Sequence, residues 1–264
     1  MRFIEVSDKR NAVYFLPLGD VHAGSGQVDY QKFEGYLDWA RREKAYIFLM
    51  GDLYDTVVMG GVSSPFDAAM NLREAKKYMR DRLMPVKHLI IGGIIGNHEM
   101  RLMRYANEDL MEDLCDQLQV PYANFSAVIR MNVGHVLVGD HKGGKGEINR
   151  IHYVIFAHHT TGGGGTPGGK LNRVYKLSDL FEGADLLVGA HSHMEVAAPV
   201  DKYRLHVSAA GKCTLSADKM FMVNSGSFVK WEDSYAEEKM LAPSHCGCPR
   251  VRLDGVRKDI HISE

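Results

Sequence analysis

Ala45-Tyr46-Ile47-Phe48-Leu49-Met50-Gly51-Asp52 is a run of six apolar residues that stops at a glycine and an aspartate. A continuous apolar run of that length, bounded by a turn signal, reads as a strand buried on both faces. The glycine lets the backbone turn sharply, so the aspartate after it projects from the strand end. The same arrangement recurs on either side. Asn11–Leu18 runs into Gly19-Asp20-Val21-His22, and His88–Ile95 runs into Gly96-Asn97-His98-Glu99. Further along, Ile151–Ala157 runs into His158-His159, and Asp185–Ala190 runs into His191-Ser192-His193.

Helix signals lie between the first runs. Asp29 is placed to cap a helix with Tyr30, Phe33, Leu37 and Ala40 on one face. Ser64-Pro65 reads as a cap and first turn for a helix reaching about Leu83, and Asn107 as the cap of a helix through Leu118. The second half is richer in strand pattern, near 124–131, 135–139, 195–200, 203–210, 219–224 and 250–262, with only a short helix after Ser178. Strand–helix alternation followed by strands predicts an α/β layered fold with one parallel and one more antiparallel sheet. The absence of a clear linker predicts a single domain over residues 1–264.

Composition narrows the functional classes. Lys plus Arg is 32 and Asp plus Glu is 33 in 264 residues, a net charge of −1. That balance excludes a polybasic nucleic-acid-wrapping protein and an acidic disordered tail. With 45% hydrophobic and 25% charged residues the chain can bury an ordinary core. No apolar stretch approaches the length of a membrane-spanning helix. The start, Met1 to Asp8, lacks the apolar core of a signal peptide, so a cytoplasmic protein that meets no membrane is expected. Four cysteines, at 115, 213, 246 and 248, are too few for a disulfide scaffold. His245-Cys246-Gly247-Cys248 lacks the second cysteine pair of a structural zinc site and reads as two reduced thiols.

Sites in open α/β sheets form at the carboxyl ends of strands. Here those ends carry Asp20, His22, Asp52, Asn97, His158, His191 and His193. Mixed oxygen and nitrogen donors suit divalent transition metals better than calcium. One ion can take Asp20, His22 and His193, and a second Asn97, His158 and His191, with Asp52 left to bridge. His158 is preferred to His159 because it directly follows the apolar run. Two ions about 3.5–4 Å apart form a clamp for in-line phosphoryl displacement and generate a hydroxide near neutral pH. The glycine-rich stretch 162–170 reads equally as a flexible loop or as an anion-binding loop with Lys170 and Arg173 beside it. His141, within Gly139–Gly146, reads as part of a polar hairpin loop.

Asp-x-His, Gly-Asp-x-x-Asp, Gly-Asn-His-Glu, a His after a strand and Gly-x-His-x-His, in that order over residues 12–228, resemble the calcineurin-like metallophosphoesterases. Asn224-Ser225-Gly226-Ser227 is similar to the Asn-Pro-Gly-Ser turn of many members. The resemblance implies a four-layer sandwich, two mixed β-sheets flanked by helices. It implies two divalent transition metal ions, manganese first, with iron, zinc or nickel as the other candidates. Asp20, His22, Asp52, Asn97, His158, His191 and His193 match the ligand positions. His98 matches a histidine that faces substrate or leaving group, and Asp55 the acid that orients it. The compact chain looks like small bacterial and phage-encoded members.

The resemblance also bears on the substrate. Phosphoprotein phosphatases of this superfamily carry arginines where Thr56 and Ile95 stand here. Such arginines grip a monoester dianion in bidentate fashion. Their absence predicts a phosphodiesterase acting on nucleic acid or a nucleotide. Arg101 or Arg104 could still supply a cation, and His159 a further contact. The alternatives are a phosphomonoesterase of proteins or nucleotides, and a non-catalytic metal-binding interaction module.

Overall fold

In the computed structural model, which describes residues 1–56, 68–138, 147–162, 165–238, 240 and 242–263, the first apolar runs become neighbouring strands. The chain opens with β1 (Arg2–Asp8) and continues into β2 (Ala12–Leu18), β3 (Tyr46–Leu49) and β4 (Ile90–Gly93). β2 pairs with β3, and β3 with β4, both in parallel. β10 (Arg250–Asp254) adds to β2 antiparallel, and β11 (Ile260–Ser263) to β10, giving a five-stranded sheet in the order β11-β10-β2-β3-β4. The second sheet holds β1, β5 (Ser126–Val138), β6 (Glu147–His158), β7 (Leu186–Gly189), β8 (Glu195–Val207) and β9 (Cys213–Ser225), in the order β1-β5-β6-β7-β9-β8. Within it β6, β7 and β9 run parallel to one another. Each sheet is mixed, as expected. β1 is a strand that the sequence reading passed over.

Three cores separate four layers. The first lies under α1 (Tyr30–Glu43), α2 (Leu72–Leu83) and the later helix α4 (Leu110–Leu118), where Phe33, Leu37, Ala75, Met79, Leu114 and Leu118 pack on the five-stranded sheet. The second fills the space between the sheets with Phe15, Phe48, Ile129, Tyr153, Ile155 and Val188. The third packs Val128, Phe156 and Leu187 on the outer face of the six-stranded sheet under α5 (Pro167–Tyr175), which supplies Val174. The result is a helix–sheet–sheet–helix sandwich.

Helix boundaries follow cap chemistry. Asp29 caps α1 by accepting from Lys32 N–H, as expected. Ser64-Pro65 lies outside the described residues; the helix ending at Leu83 starts at Leu72, capped by a reciprocal Asn71–Glu74 box. Asn107 ends α3 (Asn97–Ala106) rather than starting the next helix, adopting the left-handed conformation with φ 52° that asparagine tolerates. Asp109 caps α4 instead, accepting from Met111 and Glu112. The helix expected after Ser178 lies earlier, as α5, because Thr166 and Pro167 supply its cap and first residue. His141 lies outside the described residues. Among the described residues no helix is long and apolar enough to cross a membrane.

Candidate metal centre

The parallel strands β2, β3 and β4 of one sheet and β6, β7 and β9 of the other end at the same edge, and their loops interlock there. Asp20 N–H donates to Gly51 O at 3.0 Å, and His22 N–H donates to Asp52 O at 3.0 Å. The close approach needs glycine at two points. A side chain on Gly96 would collide with the Asp52 carboxylate, and one on Gly51, at φ +82°, with the Gly96 backbone.

Asp20, His22, Asp52, His191 and His193 all have positive φ, between 49° and 75°. Non-glycine residues seldom adopt that conformation, and strain of this kind clusters at functional sites. Here it turns five side chains back over the strand ends, towards one another.

The side chains form two groups joined by Asp52. In the first, His22 Nε2 and His193 Nε2 are 3.0 Å apart, and Asp20 Oδ1 is 3.4 Å from His193 Nε2. Asp20 is fixed through its other oxygen, which accepts from His191 N–H (3.0 Å) and Ser225 Oγ–H (3.3 Å). Its Oδ1 is buried without a hydrogen-bond partner. In the second, His159 Nε2 lies 3.1 Å from Asn97 Oδ1 and 3.2 Å from Asp52 Oδ2, with His191 beside it. Asp52 Oδ1 accepts from His98 N–H at 2.8 Å, and its Oδ2 is another buried oxygen without a hydrogen bond.

Buried polar atoms are normally satisfied. Two unsatisfied carboxylate oxygens, each facing imidazole nitrogens, fit a divalent cation in each group. Asp20 and Asp52 are essentially solvent-excluded, at 0% and 1% exposure, so their charge calls for such compensation. Burial, followed by the like-charge influence of His98 and His193, holds His22 well below its ordinary pKa, leaving it neutral as a ligand must be. Burial also lowers His191. For His159 burial works in the same direction, but the Asp52 carboxylate outweighs it and pushes the ring up to about 10.

Asp20, His22, Asp52, Asn97, His191 and His193 therefore come together as expected, and His158 does not. His158 is the last residue of β6, paired with Ser126, and its Nδ1 accepts from Thr160 N–H at 2.7 Å. Strand parity explains the correction. Tyr153, Ile155 and Ala157 face the inter-sheet core, so His158 faces outward and His159 faces in. The ring of His159 is oriented by its Nδ1, 2.7 Å from the Met50 carbonyl. A carbonyl only accepts, so Nδ1 carries the proton and Nε2 is the atom turned to the centre.

His98 stands beside these two groups and, with His22 and Asp52, forms a third cluster of possible ligands. Its ring packs edge-on against His22 at 4.5 Å, and its Nδ1 is 3.2 Å from Asp55 Oδ1. Burial disfavours its cation, but Asp55 and Asp52 outweigh burial and raise its pKa. One turn on, Arg101 Nη1 is buried without a hydrogen bond.

A family model for calcineurin-like phosphoesterases matches residues 14–195. The chain belongs to that family.

No curated protein matches the chain. Among solved structures, Vps29 of Chaetomium thermophilum is similar over 96% of this chain and 96% of that one, at 15% identity and a TM-score of 0.37. The calcineurin-like family is metal-dependent, in agreement with the three overlapping groups of candidate ligands, Asp20-His22-His193, His22-Asp52-His98 and Asp52-His159-His191.

Several residues around the centre differ from the expected roles. Lys170 is buried, and its Nζ donates to Ser192 O at 2.8 Å, so it braces the loop between His191 and His193 instead of reaching for substrate. Arg173 lies against Gly162, on the loop after His159. Cys246 and Cys248 are free thiols, as expected. Glu99 is read in the sequence only as part of the Gly-Asn-His-Glu motif, without a role; it is fully buried and accepts from the N–H groups of Asp52, Leu53, Tyr54 and Gly96 at 2.7–3.1 Å. Its bond to Gly96 is the reach-back of a Glu at the third position of a helix, a signal that the sequence carries. Ser225 and Ser227 were seen only as part of a turn; they bond the Asp20 carboxylate and carbonyl.

Proposed function

We propose that this protein is a dinuclear metal-dependent phosphoesterase that cleaves phosphodiesters of nucleic acid or a nucleotide in the cytoplasm. The observation that carries the reading is the run of overlapping ligand clusters from Asp20, His22 and His193 through Asp52 to His159 and His191, in which Asp20 and Asp52 each keep an unsatisfied buried carboxylate oxygen. Asp20, His22 and His193 would hold one ion, and Asn97, His159 and His191 the other, with Asp52 between them. When bound, two divalent ions, manganese first, supply charge neutralisation for phosphoryl oxygens and an activated water.

The chain's own residues do the rest. Asp20 and Asp52 are locked by backbone and Ser225 donors, so the ligand geometry is preorganised. His98, held by Asp55 at 3.2 Å, is placed to donate a proton to the leaving oxygen. Arg101, with a free N–H beside it, binds a non-bridging oxygen.

His98→Ala should therefore lower kcat by about 10²–10⁴-fold while leaving bound metal unchanged. The loss should shrink for esters with acidic leaving groups, which need little protonation. Equal losses across leaving groups, with kcat measured beside metal content, would assign His98 to phosphate binding instead.

The preference for diesters rests on the positions where related phosphatases carry arginine. Thr56 is buried and donates to His98 O, and Ile95 is buried in the helix-side core. Neither presents anything to substrate, so fewer cations meet the phosphate. The test is kcat/KM for bis(p-nitrophenyl) phosphate against p-nitrophenyl phosphate with manganese, with the diester expected to be favoured. The monoesterase reading is supported by Arg101, whose unpaired N–H could hold a second negative charge. A monoester preference that Arg101→Ala abolishes would establish it.

The assignment of His159 has a separate test. His159→Ala should release one of two ions and His158→Ala neither, read by metal analysis after gel filtration. The metal-free ring is protonated below about pH 10 and must lose that proton to bind. Metal uptake at neutral pH should release a proton, and the affinity of this group should weaken as pH falls. Uptake without proton release would contradict the assignment.

A further inference from the structure

β8 and β9 pair along their whole length, from Glu195↔Ser225 to Val207↔Cys213. β7 reaches only Phe221–Asn224 of β9. β8 is the sheet edge. Residues 201–219 therefore form a two-stranded arm that extends beyond the sheet, away from the edge that carries the metal centre. Its tip is a built turn: Ser208 N–H donates to Lys212 O, Gly211 N–H to Ser208 O, and Gly211 has φ 75°.

The arm has two unlike faces. On one, Arg204 pairs with Asp218 at 2.8 Å, His206 bonds Ser216 at 2.8 Å, and Lys202 lies over the Tyr175 ring. The other carries Asp201 and Lys219 at its base and Tyr203, Leu205, Val207 and Leu215 beyond them, by strand parity. It continues the side of β9 on which Val223 enters the inter-sheet core, but past the end of that core. Tyr203 is 80% exposed, Leu205 58%, Val207 62% and Leu215 70%.

We propose that this arm docks on the same arm of a second copy, apolar face to apolar face about a two-fold axis. A lone two-stranded hairpin is marginal in water, whereas four strands with a shared apolar interior form a small sandwich. Beyond Asp201 and Lys219, which oppose each other at its base, the face bears no charge, so its outer part is complementary to itself, as an isologous contact requires. Exposed by 58–80%, the side chains of Tyr203, Leu205, Val207 and Leu215 on two arms could remove at most about 1,000 Å², the size a specific interface must clear. The occupant is thus a second molecule of this chain, and the contact leaves both metal centres open. This inference does not depend on the proposed substrate.

The experiment is sedimentation velocity on the full chain at micromolar concentration. The wild type is expected at twice the monomer mass. Leu205→Glu with Leu215→Glu should give a monomer, weakening association at least about 100-fold, with phosphoesterase turnover unchanged because the arm lies outside the centre. Both side chains are exposed, so folding tolerates the change, and a melting curve checks this. His206→Glu, on the polar face, should remain a dimer. A monomeric wild type, including one that binds lipid vesicles instead, would overturn the proposal. So would a double variant that stays dimeric, or monomerisation by His206→Glu as readily as by the apolar-face pair.

Discussion

Asp52→Asn is expected to lower kcat by about 10³-fold or more, with the fold intact. Asp52 is the one carboxylate placed with His22 and His98 on one side and with His159 and His191 on the other. Its Oδ1 accepts from His98 N–H, and an asparagine oxygen can keep that bond, so the loops stay closed. Its Oδ2 faces His159 Nε2, and there an amide NH2 would replace a negative oxygen. In the proposed centre the substitution would remove the negative charge that offsets two cations and would place donor hydrogens where a cation would sit. Losing several kcal/mol of charge stabilisation corresponds to three or more powers of ten in rate. The measurement is kcat at saturating manganese beside a thermal melt. Undiminished turnover would remove Asp52 from the bridging position.

Glu99→Gln is expected to destabilise the protein by about 2–6 kcal/mol, although Glu99 touches no substrate. Each oxygen of Glu99 accepts two backbone N–H groups: Oε1 those of Leu53 and Tyr54, Oε2 those of Asp52 and Gly96. Whichever way a glutamine amide turns, its NH2 meets two N–H donors. Two buried amides are then unpaired, at about 1–3 kcal/mol each. The carboxylate has its own cost, since burial and the nearby Asp52 push its pKa to about 7 against the pull of the backbone donors. Denaturant titration should show a lower midpoint, and metal affinity should fall with it because the loop carrying Asp52 loosens. An unchanged midpoint would mean that the clamp is not formed in solution.

These two residues show how legibility divides. Asp52 is legible because a buried strand, a glycine and a carboxylate are consecutive in the chain, and local chemistry dictates a turn with a ligand on it. Asp20 and the His191-Ser192-His193 segment are legible on the same ground. Glu99 sits in a visible motif, but three of its four donors lie 45–47 residues away, on the loop after β3. Only the packing of β3 beside β4 brings them within reach. Lys170 stood open between two readings for a related reason. A lysine in a glycine-rich stretch suggests an anion, whereas the fold lays α5 against β7 and directs its ammonium to Ser192 O.

The sequence by itself determined the donor types, their order, their places at strand ends and the α/β layering, because each depends on residues that are neighbours in the chain. Tertiary structure decided between His158 and His159. Both faces of β6 are apolar, with Ile155 packed between the sheets and Phe156 packed under α5, so periodicity holds no record of which face looks inward. Register against β5 and β7 sets that parity, and register is a property of pairing between distant segments. The same holds for the β8–β9 arm. Its alternation is local, but whether Leu205 and Leu215 meet a core or water depends on where β7 stops.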